Sequence, residues 1–127
     1  RAIETATTII QDRDIPLFIN NNLKEFNFGS IEGDSEEKLK TIYPILHGQT
    51  VDGFDGDNMP DFTKRILKGL DEIHAKNKEG NILVVTHSGV ITALLNAISN
   101  LPEKDIIRIK NCSVTQLEWN YGWKICN

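Results

Sequence analysis

No apolar run in this chain approaches the length of about 20 residues that a membrane-spanning helix requires. Nor does the sequence open with the charged, apolar and small-residue order of a secretory signal. Both absences set a cytoplasmic protein without a membrane partner as the expectation. Cysteine is scarce: the two present, Cys112 and Cys126, fit no metal spacing and read as free thiols in a terminal hairpin. Positive charge is in deficit, because 14 Lys and Arg stand against 18 Asp and Glu for a net charge of -4. No basic cluster reverses that balance locally, which argues against nucleic acid as a partner and leaves room for a small basic phosphate site. Internal repeats and low-complexity tracts are missing too, and methionine occurs once, as Met59.

What is there describes one soluble globular unit of 127 residues, 39% hydrophobic and 25% charged, with material for one core and no room for a second domain. Ala2, Ile3, Ala6, Ile9 and Ile10 recur with a helical period that no capping residue precedes, as expected of a chain that starts inside a helix. Ile15 to Ile19, broken by Pro16, suits an edge or the opening of a strand. Asn20 to Gly33 has the composition of a loop, yet Phe26, Phe28 and Ile31 mark it as a structured one. Ser35 to about Tyr43 reads as a helix capped by Ser35, and His47 to Met59 as an irregular excursion that ends at Pro60. Phe62, Ile66, Leu67, Leu70 and Ile73 then share one face of a long helix, with Lys64, Lys68, Asp71, Glu72 and His74 toward water. After Gly80 come a buried strand at Asn81 to Thr86 and a mostly apolar helix from Ser88 to about Ser99. Cys112 to Trp119 and Trp123 to Cys126 flank an Asn120-Tyr121-Gly122 turn, a hairpin that would close the sheet. The fold class expected is an α/β sandwich.

His87 is the residue this pattern singles out. A strand of Ile82, Leu83, Val84 and Val85 delivers its imidazole to the place where a helix begins, and the unpaired N–H groups of that helix point at the same spot. Histidines beside apolar runs are more often structural, so the position gains its meaning from its neighbours.

Those neighbours are three motifs in order: R-A-I-E-T-A from Arg1, L-K-E-F-N-F-G-S-I-E-G from Leu23, and V-V-T-H-S-G-V-I from Val84. Together they resemble the histidine phosphatase superfamily, which includes the cofactor-dependent phosphoglycerate mutases, over the span from Arg1 to the N-C-S-V-T segment at Asn111 to Thr115. The resemblance implies a three-layer sandwich whose mixed, mostly parallel sheet carries helices on both faces, and a reaction through a phosphorylated histidine. It implies that Arg1 clamps the phosphoryl oxygens, that Glu25 protonates the leaving oxygen, and that His87 stabilises the transferring group, with N–H groups near Ser88 and Gly89 as further donors. A partial match, Gly56-Asp57-Asn58 followed by Arg65, departs from the family's usual G-E-S at Asp57 and Asn58 and stays outside the expected core site.

The physical demands of phosphoryl transfer suit these residue types. Negative charge stays on the equatorial oxygens, so positioned donors matter most. A planar guanidinium such as Arg1 fits those oxygens better than an ammonium. An alkoxide leaves poorly without a proton, which Glu25 can supply if the phosphate and burial by Phe26 or Phe28 favour its protonated form. The bland alternatives are a solvated terminal arginine for Arg1 and an exposed loop carboxylate for Glu25. Glu32 reads as structural, and His47 lacks a supporting motif, with lining of a substrate pocket as its lesser alternative. Asp52, Asp55 and Asp57 fail the spacing of a calcium loop. No metal or other cofactor is expected, since arginine and histidine supply the positive charge.

The family's nucleophile, a histidine in an R-H-G motif at the end of the first strand, has no counterpart here. Two explanations belong to different classes. In one, the chain is the C-terminal portion of an enzyme, with one or more N-terminal strands and the nucleophile lying upstream; alone it is inactive and prone to homo-oligomerise through exposed sheet edges. In the other it is a non-catalytic phosphate-binding or interaction module. Within the enzyme class, the compact interval between Glu25 and His87 favours a phosphatase acting on a small phosphorylated metabolite over mutase-type phosphotransfer.

Overall fold

A computed structural model describes residues 1–41, 45, 53–99 and 109–126. Its element order is α1 (Ala2–Ile10), 3-10 turns at Asn21–Leu23 and Gly29–Ile31, α2 (Glu36–Thr41), α3 (Met59–Lys76), α4 (Ser88–Ser99), and strands β1 (Leu117–Trp119) and β2 (Trp123–Ile125).

The longest helix is specified at both ends by local chemistry. Asn58 sits at the N-cap of α3, where its Oδ1 accepts from the Asp61 N–H at 2.9 Å, and Pro60 occupies the first turn, where a missing donor costs nothing. The Asn77 N–H closes the other end onto Ile73 and His74 carbonyls. Periodicity then decides the packing. Phe62, Ile66 and Leu70 are buried on one face of α3 and meet Val90, Ala93 and Leu94 of α4, with Phe26 from the loop and Ile45 completing the cluster. Each such side chain fully removed from water contributes about 1.5–3 kcal/mol before entropy is counted. At buried Gly69 a Cβ would fall 2.9 Å from Asn22 Cβ and 3.0 Å from Leu23 Cδ2, so glycine there lets the Asn21–Leu23 turn lie directly on α3.

The hairpin at the end of the chain forms where expected, though shorter. β1 and β2 pair antiparallel with Leu117 opposite Ile125 and Trp119 opposite Trp123. It packs on both long helices, β2 lying against α4, while on α3 the His74 ring stacks on Trp119 at 4.3 Å and meets the edge of Trp123 at 5.7 Å. The Trp123 indole N–H also donates to Asp71 Oδ1 at 3.2 Å. His74, expected on the solvent face, is therefore half-buried beneath two indoles.

The central sheet is where expectation and structure part. Among the described residues the one sheet has two strands, so the three-layer sandwich with a mostly parallel sheet is not formed by them. Neither 15–19 nor 81–86 takes part in a ladder. The physical reason is that apolar pattern reports a need for burial, while a strand exists only with a hydrogen-bonding neighbour. Apart from half-buried Val85, the apolar residues of both segments lie open instead, with Phe18 85%, Ile19 70% and Leu83 66% exposed. The excursion expected at 47–59 is irregular over residues 53–58. Its earlier part, with His47 and Asp52, lies outside the described residues, as does the end of the helix expected to reach Tyr43. No described helix is long and apolar enough to cross a membrane.

Candidate active site

The loop from Asn20 to Gly33 is built by side chains that come to it from elsewhere in the chain. Its entry is an Asx turn, with Asn20 Oδ1 accepting from the Asn22 N–H at 2.9 Å. The Asn22 side-chain amide donates to Glu72 Oε2 at 3.0 Å, which ties the turn to α3. Phe26 is the one buried residue of the stretch, held in tilted and edge contacts with Phe28 and Phe62, each at 5.1 Å. Anchoring Phe26 fixes where its neighbour Glu25 can point.

Glu25 points at the start of α4. The helix opens at His87, whose carbonyl accepts from the Ile91 N–H at 3.1 Å. The N–H groups of Ser88, Gly89 and Val90 are therefore the ones that an α-helix leaves without intrahelical partners. One of them is taken: the Gly89 N–H donates to Glu25 Oε2 at 3.3 Å, while Glu25 Oε1 accepts from the Phe26 N–H at 2.9 Å. A Cβ on Gly89 would overlap Glu25 Oε1 and stand 3.1 Å from its Cδ, so only glycine admits the carboxylate at this place. A negative group at a helix N-terminus is also favoured by the helix dipole.

The structure thus brings together Glu25, Gly89 and half-buried His87, with exposed Ser88 as the first helical residue. The Gly89 amide, expected to face a phosphate, is engaged by the acid. Arg1 is elsewhere in its contacts. It is the exposed N-cap of α1, its amino group lies 3.6 Å from the Glu4 carboxylate, and none of its described contacts reaches Glu25 or His87. Among the described residues no group of histidine, cysteine and carboxylate side chains has the arrangement of a metal site.

Two carboxylates of the former excursion fasten the same loop. Asp55 Oδ1 accepts from the Ser30 N–H at 2.7 Å, and Asp57 Oδ2 accepts from the Asn27 N–H at 3.0 Å. Gly29, at φ +59°, makes this approach feasible, because a Cβ would overlap Asp55. The Ser30 hydrogen bonds, main-chain first and hydroxyl second, hold the Asp55 carboxyl below its ordinary value of 3.8. A carboxyl depressed in the folded state adds stability above its unfolded pKa and loses it as pH falls through the folded value. Asp55→Asn should therefore flatten the acid side of the stability profile: below about pH 4 the urea midpoint of the wild type falls more steeply than that of the variant. Parallel profiles would show that this charge is not linked to folding.

Arg65 and Asp57 are the residues of this region that motif reading set aside. Arg65 Nη2 pairs with Asp57 Oδ2 at 3.1 Å, and the guanidinium carbon lies 5.0 Å from the centre of the Phe62 ring. With Asn21, Lys24, Glu25 and Asn27 they line a cleft of about 310 Å³. The one signal in the sequence was the partial match from Gly56 to Arg65, and its departures at Asp57 and Asn58 concealed it.

Fold, motif order and the Glu25 to helix contact all lead to one class, and the family model for branch 1 of the histidine phosphatase superfamily matches residues 1–126. The chain belongs to that superfamily. It is 28% identical over 132 aligned positions to the "Uncharacterized phosphatase PhoE" of Bacillus subtilis (strain 168), covering 98% of this chain and 63% of that protein. It is 26% identical over 108 positions to the adenosylcobalamin/alpha-ribazole phosphatase of Salmonella typhimurium, covering 80% and 54%. The chain thus spans less than two thirds of the length of either relative. The α/β fold is shared with the solved structure of Bacillus stearothermophilus YhfR, at a TM-score of 0.86 and 23% identity over 99% of this chain and 67% of that one. It is also shared with the alpha-ribazole phosphatase from Shigella flexneri, at a TM-score of 0.73 and 20% identity over 98% and 66%.

Proposed function

We propose that this chain supplies the acid and the second histidine of a phosphoric monoester hydrolase that works through a phosphohistidine on a small phosphorylated metabolite. The observation that carries the reading is the Glu25 carboxylate held on the Gly89 N–H, two residues beyond His87. With Glu25 as the proton carrier, this contact supports a site at the helix N-terminus that His87 opens, where a phosphoryl group gains most from fixed dipoles.

The steps follow from these roles. A nucleophilic imidazole, which comes from outside these 127 residues, attacks phosphorus, and the bond to the ester oxygen breaks. Glu25 delivers its proton to that oxygen, and the alcohol leaves. His87 and the Ser88 N–H face the equatorial oxygens while their charge is in transit, with Arg1 as a clamp brought in by the rest of the site. Water then attacks phosphorus, its proton returns to Glu25, and phosphate departs as the histidine is restored. The relatives with phosphatase names favour water as acceptor over a second sugar or acid hydroxyl.

The same reading makes the isolated 127-residue chain inactive, and the open apolar residues Phe18, Ile19 and Leu83 make it prone to self-association. The test is hydrolysis of p-nitrophenyl phosphate by the isolated chain, the full-length protein and its His87→Ala variant. The isolated chain should show none, and the variant should lose about 10²- to 10³-fold in turnover without losing its fold. Turnover by the isolated chain, or an unimpaired variant, would sink the proposal.

A further inference from the structure

We infer that Arg65, clamped by Asp57, is a positioning residue that sets the Glu25 carboxyl for proton transfer. The inference rests on the acid role proposed for Glu25 and adds the device that aims it. The carbonyls of five successive residues, Asn21 to Glu25, all accept from side chains, and Asn21 O also closes the 3-10 turn by accepting from the Lys24 N–H at 3.4 Å. Arg65 Nη1 reaches Asn21 O at 3.5 Å, Asn22 O at 3.0 Å and Lys24 O at 3.0 Å, and Arg65 Nη2 reaches Glu25 O at 3.4 Å. The remaining carbonyl, Leu23 O, accepts from Thr86 Oγ1 at 2.8 Å, and Thr86 precedes His87.

The arrangement continues past the acid. Asp57 Oδ2, which holds Arg65 Nη2 at 3.1 Å, also accepts from the Asn27 N–H at 3.0 Å. One ion pair therefore grips the backbone before and after Glu25, and the partly buried position of both partners, with side chains 26% and 29% exposed, shields it from solvent. A guanidinium suits this task because it offers five donors in one rigid plane, whereas an ammonium concentrates its donors at a point. The backbone at Glu25 decides whether its carboxyl meets the Gly89 N–H. Loosening the grip therefore degrades the aim of the acid without touching phosphate.

A leaving-group comparison in the full-length protein tests this, with kcat/KM measured on an alkyl phosphate, which needs the acid, and on a dinitrophenyl phosphate, which does not. Glu25→Gln serves as reference. Arg65→Gln should lose about 10²-fold or more on the alkyl ester and much less on the dinitrophenyl ester, as the reference does. Arg65→Lys and Asp57→Asn should show the same selectivity at smaller size, and they carry the test if Arg65→Gln does not fold. Equal losses on both esters, or none, in variants whose reference remains selective would overturn the role of Arg65 alone. A reference without selectivity would remove Glu25 as the acid, and this inference with it.

Discussion

Gly89→Ala in the full-length protein should lose most of the turnover that Glu25→Gln loses, about 10²- to 10⁴-fold on an ester with a poor leaving group. By helix propensity alone the change is favourable by roughly 1 kcal/mol, because alanine is the better residue within α4. Geometry sets the opposite sign for activity. The new Cβ occupies the space of Glu25 Oε1, so the carboxyl must leave the Gly89 N–H, and the acid is displaced while the helix is if anything firmer. Kinetics and thermal unfolding measured on the same samples separate the two effects. A variant that retains full turnover would mean that the contact with Gly89 has no part in the chemistry.

Phe62→Ala should be the most damaging change to stability, costing about 3–5 kcal/mol. Phe62 is 2% exposed, meets Phe26 edge-on at 5.1 Å with an interplanar angle of 78°, and lies beneath the Arg65 guanidinium. From α3 this one side chain touches both the loop that carries Glu25 and the Arg65 clamp. Against a typical total of about 5–15 kcal/mol, such a loss leaves little reserve. Urea unfolding should show a sharply lower midpoint, and activity should disappear well below the wild-type melting temperature because Phe26 is freed beside Glu25. A cost under about 1 kcal/mol would show that the site collapses around the deletion.

Which features were legible follows from the range of the interactions that make them. The apolar face of α3, the start of α4 at Ser88 and the turn around Tyr121 depend on neighbours a few residues away, and periodicity and turn chemistry read them directly. Ile82 to Val84 read as a strand from the same kind of pattern, but hydrophobicity names no partner, and in the structure the three side chains are exposed. Motif order set Glu25 and Gly89 in one site but not in contact, because nothing local links a loop carboxylate to a distant helix, and the Gly89 N–H read as a donor to phosphate. Arg65 was hardest to read. Its acceptors are main-chain carbonyls, which every residue carries, so no choice of amino acid at Asn21 to Glu25 announces the bond. Asp55 and Asp57 likewise read as a surface acidic group until their amide partners were in view.

The stacking of His74 with Trp119 and Trp123 makes the chain a selective optical reporter. Its two tryptophans stand 5.2 Å apart against one helix, so all indole emission arises from the joint between α3 and the hairpin. The phenylalanine core under Glu25 is silent at those wavelengths. Fluorescence therefore records the hairpin leaving α3, while helix ellipticity records the rest. The interval between the two signals during unfolding is a direct measure of how firmly the end of the chain is coupled to the acid loop.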